Sequence, residues 1–521
     1  MFISSADLSI PNYFEGYAWV KDDLVVGQGG ADEFASQTGS GVRPDEDGCY
    51  VSVQQSSAGV VIGTDYRGLM RLFTYKNGSN WAIASSLYEL ISNVRQLSWP
   101  LTALEDTIAA YVEDYGFAAQ LAAFGVHFAE VSLVPSAGTI IILDNRMLMT
   151  IRQPLDVPAY EVALTNFLTT WKNRLSTITS STESVLKFDL SGGIDSRTVI
   201  AFALENSWVL ENGARIESST KPRAVKDFEV ASIIAREYGF ELNSKDFRFR
   251  PPSISAEEVF TEWKHHSLGV YSPVYLYNTA PDCRFVHAHG AGGGNFRPTY
   301  KSVKAKAAQV GSTLSNENRQ IWGNRVMNDI TSLVGFSTSK NLELLHYREF
   351  RNRFHFGHRP QQNLVYMPLE SKLTDPITDR EDDRDGRQFY FDVMESLSPG
   401  LSTISYDEED KSPTELNISR LTKVNTPPAV PGTIYSKLGP NSDSRIQRHE
   451  AFDFWIDKAA SRRTKKHVTQ ALPRKYWEAI EETISDWELG RRKKTLSNSL
   501  GMRGLSHVLT LDFLLSEESG I

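Results

Sequence analysis

The sequence predicts an α/β protein in two parts: an α+β layered amino-terminal domain over residues 1–152, then an α/β domain over residues 160–521 with a helical carboxy-terminal part. Three observations predict it. The first 150 residues read as short strands and turns, with two helical stretches added. Two prolines interrupt the pattern in Arg152–Tyr160, and strands then alternate with helical stretches, the rhythm of a parallel sheet covered by helices. The chain beyond is mainly helical and carries runs of charge.

Taken in order, Tyr50–Val53 alternates apolar and polar residues, and Gly59–Thr64 is an apolar run bounded by glycine. Leu72–Tyr75 and Trp81–Ala84 flank Lys76-Asn-Gly-Ser79, a hairpin signal. Ser86–Val94 and Leu101–Tyr115 have helical spacing, and the turn Val134–Gly138 leads into the strand Thr139–Leu143. In the second part, Val185–Leu190 is a strand and Ser196–Leu204 a helix. Arg215–Ser218 is a second strand, and Asp227–Tyr238 is a helix stopped by Gly239. Phe240–Phe247 and Arg284–Ala288 complete the predicted strands. The charge runs Arg380–Arg387, Asp407–Asp410, Arg462–Lys466 and Arg491–Lys494 read as solvated faces or loops.

Composition narrows the function. Hydrophobic residues make up 40% and charged residues 23%, which fits packed cores. Lys plus Arg number 55 against 64 for Asp plus Glu, a net charge of −9 that disfavours a nucleic-acid partner. Two cysteines, Cys49 and Cys283, exclude a disulfide framework and an all-cysteine metal site. With no long apolar run and no signal-like amino terminus, the expectation is a soluble cytoplasmic protein without a membrane partner, its oligomeric state left open.

The chemistry concentrates in Val185–Ala201, VLKFDL-SGGIDS-RTVIA. A strand ends, a Ser-Gly-Gly turn follows, and a helix begins at once. Gly192 and Gly193 let backbone N–H groups approach a ligand without side-chain obstruction, and the helix adds its unpaired N–H groups and positive end. Ser191 and Ser196 supply hydroxyls. Asp195 repels phosphate unless a cation lies between them, and Mg²⁺ bound to phosphate oxygens and a carboxylate is the standard solution. Helix capping alone would need only one of these residues. The kinase-type phosphate loop is absent, the dinucleotide fingerprint fails at Asn295, and His289–Gly293 lacks the Gly-x-Ser-x-Gly elbow of a hydrolase. The pairs His287/His289 and His265/His266 read as structural, with no thiolate or acidic cluster at ligand spacing.

Ser191–Ser196 resembles the pyrophosphate loop of the ATP-pyrophosphatase superfamily, and the order of features resembles the asparagine synthetase-like proteins. Gly63–Gly68, Leu72-Phe73, Ala84–Leu90 and the Val134–Gly138 turn are similar to that family's amino-terminal amidotransferase-like (Ntn-type) domain. Asp227 and the Gly-rich turn Gly290–Tyr300 are similar to its synthetase domain. The resemblance implies amide-bond formation through an acyl-adenylate, from a small-molecule or peptide carboxylate and an amine donor, with ATP and Mg²⁺. It places Leu190, Ser191, Gly192, Gly193, Asp195, Ser196 and Gly290 around ATP, Asp195 on the metal, and Ser191 and Asp195 in catalysis.

Two departures qualify it. Glutamine-using members present a cysteine after the initiator methionine, where this chain has Phe2, so the expected type is one without glutamine hydrolysis, as in β-lactam synthetases and lasso-peptide cyclases. The family's acids in the Gly-rich turn fall at Ala291, Gly294 and Asn295, and the nearest upstream acid is Asp282. An aspartate at Gly294 is then expected to restore a second carboxylate and tighten Mg²⁺ binding, unless the backbone needs a close approach there. Arg297 and Tyr300 match a subgroup form of the turn. Tyr347, Arg351, Arg353 and His355 form a cationic cluster expected on one helix; with Arg297, Arg351 and Arg353 are the candidate contacts for an anionic substrate. The alternative reading is a weak or inactive nucleotide-binding relative with a regulatory or scaffold role. A tRNA-modifying pyrophosphatase comes third, disfavoured by net charge.

Overall fold

The computed structural model describes all residues except 57–58, 113–116, 118, 182–183, 207–213, 245–254, 277–282, 298–299, 311–313, 338, 380–385, 438–447 and 517–521. It is a mixed α/β structure with three sheets, one of them wholly parallel.

Two antiparallel sheets dominate the amino-terminal part. The smaller runs Phe2–Ser4, Asn80–Ala84, Phe73–Asn77, Val131–Leu133. The larger runs Arg146–Ile151, Gly138–Leu143, Gly59–Thr64, Asp47–Ser56, Tyr13–Val20, Asp23–Val26, and is completed by Ile434–Ser436, which pairs parallel to Asp23–Val26. Strand alternation decides which side chains meet. Tyr17, Trp19, Val51 and Val53 of the larger sheet share a core with Ile3, Trp81 and Ile83 of the smaller. On the far faces, Phe14, Ala18 and Tyr50 meet Ala31 and Phe34 of the helix Gly27–Thr38, and Phe73 and Tyr75 meet Leu87, Leu90 and Ile91 of the helix Leu87–Gln96. The order of layers is helix, sheet, sheet, helix. Ser86 caps the second helix by accepting from the Glu89 amide at 3.3 Å.

The parallel sheet has the order Arg215–Glu217, Val185–Asp189, Phe285–Ala288, Leu364–Tyr366. Leu186, Phe188, Ile216, Val286 and Ala288 point into the core against the helices Ile194–Glu205 and Val225–Tyr238. That core is continuous with the one between the antiparallel sheets, through Phe167, Trp171 and Leu175 of the helix Tyr160–Ser180. A second core packs carboxy-terminal helices, among them Ser499–Leu515, against the smaller sheet. Among the described residues no helix is long and apolar enough to cross a membrane.

Several expectations are corrected. Tyr13–Val20, Asp23–Val26, Leu364–Tyr366 and Ile434–Ser436 are strands, and Tyr160–Ser180 a helix, that the pattern reading did not name. Leu242 forms only an isolated bridge with Ile216 where a strand Phe240–Phe247 was expected; residues 245–247 lie outside the described ones, as do 113–115, 380–385 and Asp282. The cluster expected on one ordinary helix begins as α over Leu342–His346 and continues as a π-helix over Tyr347–Phe356, a winding that often marks functional segments.

Candidate active site

The site forms where the strand Val185–Asp189 gives way to the helix Ile194–Glu205. Leu190 is buried, and its amide donates to the Glu217 carbonyl at 2.8 Å, fixing where the strand ends. The loop then closes on itself. The Ser191 amide donates to Ser196 Oγ at 3.0 Å, the two serine hydroxyls lie 2.9 Å apart, and the Gly193 amide reaches Ser191 Oγ at 3.2 Å. Gly192 N donates to Asp227 Oδ1 at 2.9 Å. No side chain caps the helix, so its first-turn N–H groups are left without a side-chain acceptor. A Cβ on Gly192 would stand 2.6 Å from Cβ of Asp407, so glycine is needed there for room.

The Gly-rich turn packs directly on this loop. A Cβ on Gly290 would stand 2.8 Å from the Ser196 amide nitrogen, and one on Gly293 2.6 Å from Asp195 Oδ2. Gly292 has φ +95°, which glycine adopts without strain. Of the three positions where acids were sought, Ala291 is buried and Gly294 abuts Tyr347, where a Cβ would stand 2.6 Å from Cε1. The expected gain from an aspartate at Gly294 is therefore withdrawn: the ring of Tyr347 occupies that space. At the third, Asn295 Nδ2 donates to Glu370 Oε2 at 2.8 Å.

Glu370 thus brings a carboxylate under the turn from 75 residues further along the chain. It also accepts from Asn352 Nδ2 at 2.9 Å, and burial pushes its pKa up against the pull of Arg67. Arg348 fixes the turn from the other side, donating to the Asn295 carbonyl from Nε at 3.1 Å and Nη2 at 2.7 Å. The Tyr390 hydroxyl donates to the Gly293 carbonyl at 2.7 Å.

No family model matches the chain, and no curated protein matches it.

Asp195 carries the charge of the site. Burial raises its pKa, while Arg297, the Tyr390 hydroxyl and Lys411 pull it back down. Arg297 Nη2 lies 3.7 Å from Oδ2, and Oδ1 is buried without a hydrogen-bond partner. Asp195 thus keeps a carboxylate oxygen free of hydrogen bonds beside the loop, the donor type that Mg²⁺ takes together with phosphate oxygens. Asp407, the first member of a run read as solvated, instead packs on Gly192; its Oδ2 accepts from Lys411 Nζ at 2.7 Å and its Oδ1 is likewise unpartnered. Asp407, Lys411, Glu370 and Tyr390 escaped the sequence reading because nothing in their spacing ties them to the loop; only packing does.

The remaining candidates divide. Arg297 reaches Asp195, and Arg351 Nη1 donates to Gln120 Oε1 at 3.1 Å. Arg353 is 1% exposed; its Nε donates to the Gly68 carbonyl at 2.9 Å and its Nη1 pairs with Glu349 at 3.3 Å, so it ties the two halves together and is not an anion contact. His287 Nε2 lies 2.8 Å from Asp189 Oδ2. Burial alone would raise the pKa of Asp189, but His287 and Lys187 hold it well below the usual carboxylate range. Among the described residues, no three His, Cys, Asp or Glu side chains converge as a metal site.

Proposed function

We propose that the chain is an ATP-dependent amide ligase similar to the asparagine synthetase-like proteins, working without glutamine hydrolysis. The observation that carries this reading is the contact of Gly290 and Gly293 with Ser196 and Asp195, which joins a Ser-Gly-Gly loop, an uncapped helix start and a cation-ready carboxylate at the carboxyl end of a parallel strand. A substrate carboxylate attacks the α-phosphorus of ATP, pyrophosphate leaves, and an amine displaces AMP from the acyl-adenylate. Ser191, Ser196 and the first-turn amides stabilise charge on the departing pyrophosphate, with Lys411 nearby as a further cation. Mg²⁺, held by Asp195 and phosphate oxygens, would neutralise charge on the triphosphate. Tyr347 and Tyr390 narrow the site and limit the water that would hydrolyse the adenylate.

In this reading residues 1–152 are a degenerate amidotransferase-like domain, to which the layers of helix, sheet, sheet and helix lend support, and residues 160–521 are the synthetase domain. The amino-terminal part serves as scaffold: Glu349 of the π-helix accepts from the Ser136 amide at 3.0 Å, and Arg353 holds the Gly68 carbonyl. A second reading, a nucleotide-binding relative without turnover, is favoured by Arg297 beside Asp195 and by the engagement of Glu370 with Asn295 and Asn352. Measuring MgATP binding and pyrophosphate release on the same preparation separates them. Release with a panel of carboxylates supports the ligase; tight binding with no release across the panel supports the second; no binding removes both.

A further inference from the structure

One wall of the candidate site is a stripe on the segment that follows Leu342–His346. Tyr347, Arg351, His355 and Arg359 recur every four residues; Tyr347 meets Gly294 of the Gly-rich turn, and Arg359 Nη1 meets His289 Nε2 just ahead of that turn. Exposure rises along it, from buried Tyr347 to exposed Arg359. Arg351 donates to the Gln120 amide and Arg359 to a histidine; neither has a carboxylate within 4 Å among the described residues. Two guanidinium groups flank one imidazole with no carboxylate of the described residues within reach of either, leaving positive charge that an anion would neutralise. Consistent with this, burial and the charges of Arg351 and Arg359 push His355 down to about 4, so the imidazole between them is neutral.

An aromatic array adjoins the stripe. Tyr271 Oη bonds His355 Nδ1 at 2.6 Å, and the ring of Tyr275 stacks on His358 with centroids 4.0 Å apart and planes at 20°. Tyr275 and Tyr271 are nearly parallel, at 5°, and Tyr275 is 38% exposed, leaving part of its ring open to a ligand. Flat rings near guanidinium groups that have no carboxylate partner recognise a flat anion.

We propose that this wall binds the acid to be activated, and that the acid is an aromatic carboxylic acid, its ring beside Tyr275 and His358 and its carboxylate toward Arg351. The inference rests on the nucleotide site proposed above, because Arg351 leads past Tyr347 to Asp195.

The test is calorimetric titration of the full chain with 2-naphthoate, cyclohexanecarboxylate and 2-naphthol, followed by MgATP in the same cell. 2-Naphthoate is expected to bind about tenfold more tightly than either comparison compound, since each lacks one half of the recognition. Arg351→Gln is expected to weaken 2-naphthoate by about tenfold, the loss of one charge-assisted contact. Tyr275→Ala, at a partly exposed position, is expected to erase the preference for the aromatic over the alicyclic acid, with melting temperature checked for both variants. Equal affinity for the two acids, no saturable binding, or folded variants that bind as the parent does would overturn the proposal. MgATP binding without 2-naphthoate binding overturns this inference alone; 2-naphthoate binding without MgATP binding keeps the acid site and removes the nucleotide reading.

Discussion

Gly293 lies so close to Asp195 that a Cβ on it would stand 2.6 Å from Oδ2. Two segments nearly a hundred residues apart in sequence thereby become one site, and the carboxylate is held in place by the absence of a side chain. Gly293→Ala must displace either the turn or Asp195. Overpacking of this kind costs about 1–3 kcal/mol of folding stability, and MgATP affinity is expected to fall because the loop and carboxylate that would hold it are displaced. Calorimetry against the parent, with the melting temperature measured alongside, checks it.

Arg348 is expected to be a strong stabiliser of the turn. It is buried, chelates the Asn295 carbonyl and pairs with Asp379 at 2.7 Å. Arg348→Met removes a cation from buried Asp375 and Asp379, and breaking such a pair costs about 3–5 kcal/mol. Urea unfolding should show a loss in that range. A loss under about 1 kcal/mol would mean that the network relaxes around the gap.

The loop was legible because strand, turn and helix start are adjacent in sequence. Its surroundings were not. Leu364–Tyr366 is three residues long, too short for periodicity to show, yet it closes the parallel sheet. Ile434–Ser436 lies in the part that reads as mainly helical, and it is a strand through its pairing with the edge at Asp23–Val26. Glu370 follows a proline and a leucine in a stretch without motif, and its part in the site exists only through Asn295 and Asn352. Arg353 and Arg351 look alike in sequence, and only tertiary packing makes one a core tie and the other a wall of the site.

Acid should unfold the protein early. Burial pushes His127 down to about 4, and His346 and His507 down to about 3, so all three are neutral when folded. Their folded pKa values lie below the unfolded value near 6.5, so their contribution is intact above that pH and is lost as pH falls through it toward the folded values. At pH 5 each group costs about 2 kcal/mol, about 6 kcal/mol in all, comparable to the whole stability of many domains. Asp65, pushed up to about 7 by burial, acts in the opposite sense: its penalty is relieved as pH falls from 7 toward its unfolded value near 4. One such group offsets less than three histidines lose. His507→Leu should retain about 2 kcal/mol more of its neutral-pH stability at pH 5 than the parent does, measured by urea unfolding at both pH values.

Neither cysteine is expected to act as a nucleophile. Cys49 is fully buried and its thiol pKa is pushed well up by that burial; Cys283 is 6% exposed with Sγ 3.2 Å from Ser436 Oγ. Iodoacetamide should label both thiols in denaturant and neither in the folded protein, and glutamine should be left intact. Rapid labelling of one thiol under native conditions would reopen glutaminase chemistry.

The most direct test of the central claim is ATP–pyrophosphate exchange across a panel of carboxylic acids, run on the parent and on Asp195→Ala. Asp195 faces the site from a loop and a helix start, so its loss opens no core cavity and the variant should melt as the parent does. The account predicts carboxylate-dependent exchange in the parent and none in the variant. Exchange that persists unchanged in Asp195→Ala would contradict it.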